Sequence, residues 1–309
     1  MKKVQFIVLT ALLSTTAYAN HCATYFEQKD FAQAFIACNT EAEQGDKDAQ
    51  FNLAFMYYHG DGVEENTEKA LYWLTQAAEK GRREAQNNLG VIYDEGEGVE
   101  VDKEKALYWY TKAAEQGFSK AQYNLGLMYA KGEGVEVDKE KALYWYTKAA
   151  EQGDVWAQYK SGVMYDEGDG VEVNKEKAVY WYTKAAEQGD GEAQNNLGVM
   201  YYKGDGVEVN KVKALYWYTK AAEQGFDYAQ YNTANMYYKG DGVEVDKEKA
   251  VYWYTKAAEQ GVNWAQNNLG VMYQQGEGVK KDITLAKKYY KQACSLGLEE
   301  GCDNYNSIK

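Results

Sequence analysis

The residues of this chain that could carry chemistry are two histidines, four cysteines, a series of acidic Gly-x-Gly loops and an uneven set of aromatics. His21 stands near the start, and His59 occupies a place that later copies of the same stretch fill with Lys131 or Glu167. Neither sits in a triad or metal pattern, and the sequence holds no H-E-x-x-H and no S-x-x-K, so metal hydrolysis and serine acylation of the usual kind lack their residues. Loops such as Gly204-Asp205-Gly206 lack the third glycine and the lysine of a phosphate cradle, and their carboxylates repel phosphate. Asp205 and Glu208 could draw Ca²⁺ weakly, but the alternate-oxygen spacing of an EF-hand is missing, which leaves a solvated acidic loop. The residues therefore predict no catalytic group, no metal site and no cofactor. Four cysteines, an even number, favour disulfides over zinc, with three pairings possible.

What must position these residues is a repeat. Gly45, Gly81, Gly117, Gly153, Gly189, Gly225, Gly261 and Gly297 are 36 residues apart, enclosing seven units. Length alone suggests about two domains, but a period of this size is the mark of a solenoid, in which each unit buries its apolar face against the next. Twenty-nine glycines without one proline fit helices punctuated at fixed intervals. Within a unit, Ala121, Leu125, Met128 and Tyr129 share one helical face; Ala106, Trp109, Tyr110, Ala113 and Ala114 share another. Gly132-Glu133-Gly134-Val135 ends the first helix, and Asp138 is the expected N-cap of the second, a place held elsewhere by Asp102, Asn174, Asn210, Asp246 and Asp282. Gly126, Ala149 and Ala150 let the helices approach, and the Trp fills space between units. Each unit is thus predicted to be an αα-hairpin.

The ends depart from the pattern. Residues 30–44 align with a second helix, and Cys22 and Cys38 lie symmetrically about Asp30, so a hairpin turning there sets the sulfurs opposite each other. Cys294 takes the place of Ala114 and Cys302 that of Gln122, flanking the Gly297 turn before a final helix around 299–308. Cys22–Cys38 and Cys294–Cys302 are the expected pairs. At the start, Lys2 and Lys3, an apolar run from Val4 to Leu13 and Ala17-Tyr18-Ala19 have the form of a signal peptide cleaved after Ala19, with a run too short to span a bilayer. The chain is therefore expected to be periplasmic or secreted, without stable membrane insertion. A formal charge of −13 argues against nucleic acid.

The L-G-x2-Y, the G-x-G-V loop and the K-A-x-x-W-Y-x-K-A-A-E-Q-G run closely resemble Sel1-like repeats, cousins of the 34-residue tetratricopeptide repeat, which carries Trp where this chain repeats Gln from Gln50 to Gln266. The resemblance implies an all-α, right-handed superhelical solenoid: signal peptide 1–19, N-terminal capping hairpin 20–45, seven repeats over 46–297 and a capping helix over 298–309. It also implies an adaptor or scaffold that binds a protein or peptide. The secreted cysteine-rich Sel1-like proteins of Helicobacter are similar, with a C-x7-C in each unit; only Cys294 and Cys302 match that spacing here. Those relatives, described as penicillin-binding and weakly β-lactam-hydrolysing, imply the alternative of an envelope enzyme acting on β-lactams or peptidoglycan.

Where the copies differ shows which positions the architecture leaves free. Second helices hardly vary. First helices vary along one side, at Lys120, Tyr123, Leu127, Ala130 and Lys131. The same positions hold Trp156 and Tyr159, then Tyr228, Tyr231 and Asn235, then Trp264 and Asn267, interrupted by Glu84, Asn87 and by Glu192, Asn195. Phe51 and Phe55 belong to the same series in the first unit. First helices line the concave face of helical-pair solenoids, and aromatic anchors with adaptable amides suit a protein partner. Breaks at Lys160, Ser161, Thr233 and Ala234 are expected to mark the centre of that groove. Tyr72, Tyr108, Tyr144, Tyr180, Tyr216 and Tyr252, invariant between copies, are read as amphipathic cover over unit junctions.

Overall fold

A computed structural model describes residues 21–308; the expected leader and its cleavage site, and Lys309, lie outside the described residues. Among the described residues there are seventeen α-helices and no strand, in two compact units that divide after Asp154. The first unit holds α1 (His21–Glu27), α2 (Phe31–Glu43), α3 (Lys47–His59), α4 (Thr67–Glu79), α5 (Arg83–Glu95), α6 (Lys103–Glu115), α7 (Ser119–Lys131) and α8 (Lys139–Glu151). The second holds α9 (Val155–Glu167), α10 (Lys175–Glu187), α11 (Gly191–Lys203), α12 (Lys211–Glu223), α13 (Asp227–Lys239), α14 (Lys247–Glu259), α15 (Asn263–Gln275), α16 (Ile283–Ser295) and α17 (Glu299–Ser307). Successive helices pair: α3 with α4, α5 with α6 and α7 with α8 in the first unit, and α9 with α10 through α15 with α16 in the second. Each pair is one 36-residue repeat.

Local chemistry fixes the ends of these helices. Asp138 accepts from the Lys141 N–H at 2.9 Å and starts α8, as Asp102 does for α6 and Asn174 for α10. Gly132 stops α7 in the left-handed region at φ 76°, its N–H donating to Met128. Gly134 serves a different purpose: a Cβ there would stand 2.4 Å from the Lys103 carbonyl oxygen, so the loop of one repeat lies directly on the second helix of the repeat before. Helix punctuation and close approach account for both glycines of the Gly-x-Gly loop.

The core at a representative junction joins Ala106, Tyr110, Ala113 and Ala114 of α6 to Ala121, Leu125 and Met128 of α7, with Trp145 of α8 packed partly buried against it. Glycine makes room for the tyrosines. Tyr146 presses so closely on Gly126 that a Cβ would meet its ring at 2.7 Å. The repeated glutamine joins hairpins: Gln122 donates to the Ala114 carbonyl at 3.1 Å and accepts from Gln152 at 2.6 Å. At the ends, Cys22–Cys38 ties α1 to α2 and Cys294–Cys302 ties α16 to α17. Buried Glu41 adds what the sequence did not signal, accepting from the N–H groups of His21 and Cys22 at the start of α1.

Candidate interaction surface

The first helices carry the variable positions in two rows. The outer row in the second unit runs Trp156, Glu192, Tyr228, Trp264 on α9, α11, α13 and α15. Its aromatics are 61%, 63% and 46% exposed. In the first unit the same row is Asp48, Glu84 and Lys120, where Asp48 and Glu84 pair with Arg82. Large aromatic rings held in water where sister repeats place charges are the most unusual surface feature of the second unit.

The neighbouring row is different. Tyr159 lies 6.0 Å from the buried Tyr182 and Tyr231 lies 6.0 Å from Tyr254, while in the first unit Tyr123 lies 5.8 Å from Tyr146. Burial, with Glu192 beside it, pushes the Tyr159 hydroxyl well above the ordinary phenol range; burial also raises Tyr123. Where this row carries an amide, the amide bonds to the next first helix: Asn87 accepts from Asn124 at 3.4 Å, and Asn195 from Asn232 at 3.4 Å. Asn267 is 1% exposed, donates to Glu300 at 3.0 Å and accepts from Asn304 at 2.9 Å. The expected surface place of Asn267 is therefore corrected: both ends of its amide are used to seat α17. Asn235 is likewise engaged, accepting from the Tyr254 hydroxyl at 2.6 Å.

The breaks in pattern do not mark a groove. Ser161 and Thr233 are fully buried in the place of Leu125, and neither hydroxyl has a hydrogen-bond partner. They are core positions because the 125-type residue packs with the second helix of the repeat before, as Leu125 does with Ala106, Tyr110 and Ala113. Lys160 extends over the ring of Tyr159 at 5.5 Å, and Ala234 stands fully buried where Gly126 and Gly198 leave space for a ring. Tyr108 and Tyr144 remain more than half exposed, edge-on to Trp109 and Trp145 of their own helices and beneath Lys112 and Lys148.

In the first unit, Phe51 lies under the Arg82 guanidinium at 5.1 Å. Phe55 packs on Phe26 and, 4.1 Å away, on the exposed ring of His59. Phe51, Phe55 and His59 line a cavity of about 680 Å³, which follows from a pairing of Ala54 with Leu74 that sequence reading passed over. The signal was present: tyrosine in every later repeat, but Leu74 in the first, opposite Ala54 rather than glycine.

The Sel1 repeat model matches residues 47–81, 83–118, 119–154, 157–190, 191–226, 227–262 and 265–298. The chain belongs to the Sel1 repeat family. Among solved structures it is similar to c5321, a protective antigen present in uropathogenic Escherichia coli strains displaying an SLR fold, at 39% identity and TM-score 0.79 over 86% of this chain; it spans 57% of that protein's length. A Sel1 repeat protein from Oxalobacter formigenes is 33% identical with TM-score 0.69, covering 97% of this chain and 90% of that one. Cysteine-rich protein B of Helicobacter pylori matches at 28% identity over 41% of this chain and 91% of its own, with TM-score 0.34. Among curated proteins none matches. The fold is that of a Sel1 repeat protein, its two disulfides point to an oxidising compartment outside the cytoplasm, and no described helix is long and apolar enough to cross a membrane.

Proposed function

We propose that this Sel1 repeat protein is an exported scaffold, periplasmic or secreted, that binds a protein or peptide on its first-helix face. The observation that carries this reading is the exposed row Trp156, Tyr228 and Trp264 in the second unit. Each ring replaces the charged residue that the same position holds at Asp48, Glu84 or Lys120. Apolar anchors of this kind dominate protein interfaces once desolvated. The half-buried Tyr159 and Tyr231 lie beside them as the shoulder of the site, with Lys120 and Tyr123 at the corresponding places of the first unit. The negative balance of the chain favours a neutral or basic segment as partner.

Affinity capture from envelope extract tests it, using the protein and a W156A/Y228A/W264A variant whose helical circular dichroism is intact. A partner retained by the first and lost by the second is the expected result. Equal retention by both would remove these residues from the site.

A further inference from the structure

The cavity of the first unit lies among α3, α4 and α5. In the repeats beside it that space is filled. The ring of Tyr110 lies against Gly90 and that of Tyr146 against Gly126, both rings buried. In the first repeat, Ala54 puts a methyl group where glycine made room, and Leu74 opposite it has no ring to fill what remains. Ile92, half-buried beside the cavity, replaces a methionine that at Met128 is fully buried. Phe55 closes the apolar wall.

Charge at the lining changes with the same substitutions. Lys103 opens α6 and its ammonium lies 3.7 Å from Glu133 in the loop of the following repeat. In the second unit Lys211 pairs with Asp241 at 2.5 Å and Lys247 with Glu277 at 3.4 Å in the same way. The first repeat has Thr67 at this place, and its methyl carbon lies 3.0 Å from where a Cβ on Gly98 would stand, so the Glu97-Gly98 loop sits on it as the others do on their lysines. Among the described residues no lysine or arginine pairs with Glu97. A second carboxylate, Glu65, lines the cavity where the next repeats carry Val101 and Val137. One cation has been removed and one anion added around a preformed apolar hollow, whose size is within the range for small-molecule sites.

We propose that this cavity binds a small organic cation with an apolar body, an alkylammonium or arylammonium compound. The apolar part lies against Phe55, Leu74 and Ile92, and the ammonium takes the place at Glu97 and Glu65 that lysine takes elsewhere. The site is in the first unit and does not depend on the protein-binding reading of the second.

Titration calorimetry of the whole protein with octylammonium, and with octanoate as its anionic counterpart, tests this. One equivalent of octylammonium is expected to bind saturably, with octanoate weaker by about tenfold or more. The A54G/L74Y variant recreates the Gly90–Tyr110 pair and is expected to weaken octylammonium by about tenfold or more. The E65Q/E97Q variant keeps the hollow and is expected to abolish the preference for the cation, which carries the test should the refilled variant not fold. Absence of saturable octylammonium binding, equal binding of octanoate, an unchanged affinity in a folded A54G/L74Y protein, or a preserved preference in E65Q/E97Q would each overturn the proposal.

Discussion

The α7–α8 and α3–α4 hairpins share a backbone plan, and one pair of facing residues separates their cores. In the first, a buried tyrosine ring rests on bare glycine backbone, Tyr146 on Gly126. In the second, Ala54 faces Leu74, and a cavity of about 680 Å³ opens beside them. The two members of a pair are tied by volume, and changing both still leaves room that neither residue fills. A third arrangement in the second unit shows the limit of the rule. Ala234 faces a retained Tyr254, and the phenol hydroxyl goes to Asn235, whereas Tyr290, facing Gly270, reaches Gln274 one turn along at 2.6 Å. The acceptor follows the residues at hand: Val271 stands where Asn235 does, and Tyr238 where Gln274 does. Architecture that looks uniform in register is therefore a set of local solutions to one packing problem.

The largest effect that would test this comparison is alkaline unfolding. Burial pushes the phenols of Tyr110, Tyr182, Tyr218 and Tyr254 well above their ordinary value, and that of Tyr290 up to about 12. A raised acid favours its protonated form in the folded state, so the stability it brings is complete below the unfolded phenol value of about 10 and is lost as pH rises through the folded ones. Helical circular dichroism is expected to hold to about pH 10 and collapse cooperatively above it. Ionisation of these phenols near pH 10 without loss of helix would break the argument. Next in size is Tyr146→Ala, expected to cost about 3–5 kcal/mol in urea unfolding, against about 2 kcal/mol for Leu74→Ala, which enlarges space already open. Equal costs would erase the distinction between the hairpins. The smallest effect sharpens the third case. Ser161→Leu restores the repeated core residue, removes an unpaired hydroxyl and is expected to add about 1 kcal/mol. Thr233→Leu is expected to show no gain unless Ala234→Gly accompanies it, and a gain from the single change would show that Ala234 does not crowd its hairpin.

Much of this was legible in register. The 36-residue period, the Asp and Asn caps, the left-handed glycines and both cysteine pairs follow from local rules that operate within one or two turns of helix. Where the reading failed, the deciding neighbour was on another helix. Asn267 and Tyr231 vary at the same position and look alike as surface residues, yet one is locked by α17 and the other rests on Tyr254. Ser161 and Thr233 read as breaks in a surface because a polar residue in a core row is rare, and only the structure shows that they lie inside. The cavity needed two distant positions, Ala54 and Leu74, to be read as one pair.

The glutamine contact and the Gly134-type approach have a consequence of another kind. Both use residues that the internal copies supply, Gln122 with Gln152 and Gly134 with Lys103 in one case, Gln194 with Gln224 and Gly206 with Lys175 in another. Unequal exchange between copies would lengthen or shorten the chain, and move an exposed ring such as Tyr228 from one copy to another, without requiring a new joint. The protein is built of interchangeable cassettes, and what it displays can be shuffled faster than what holds it together.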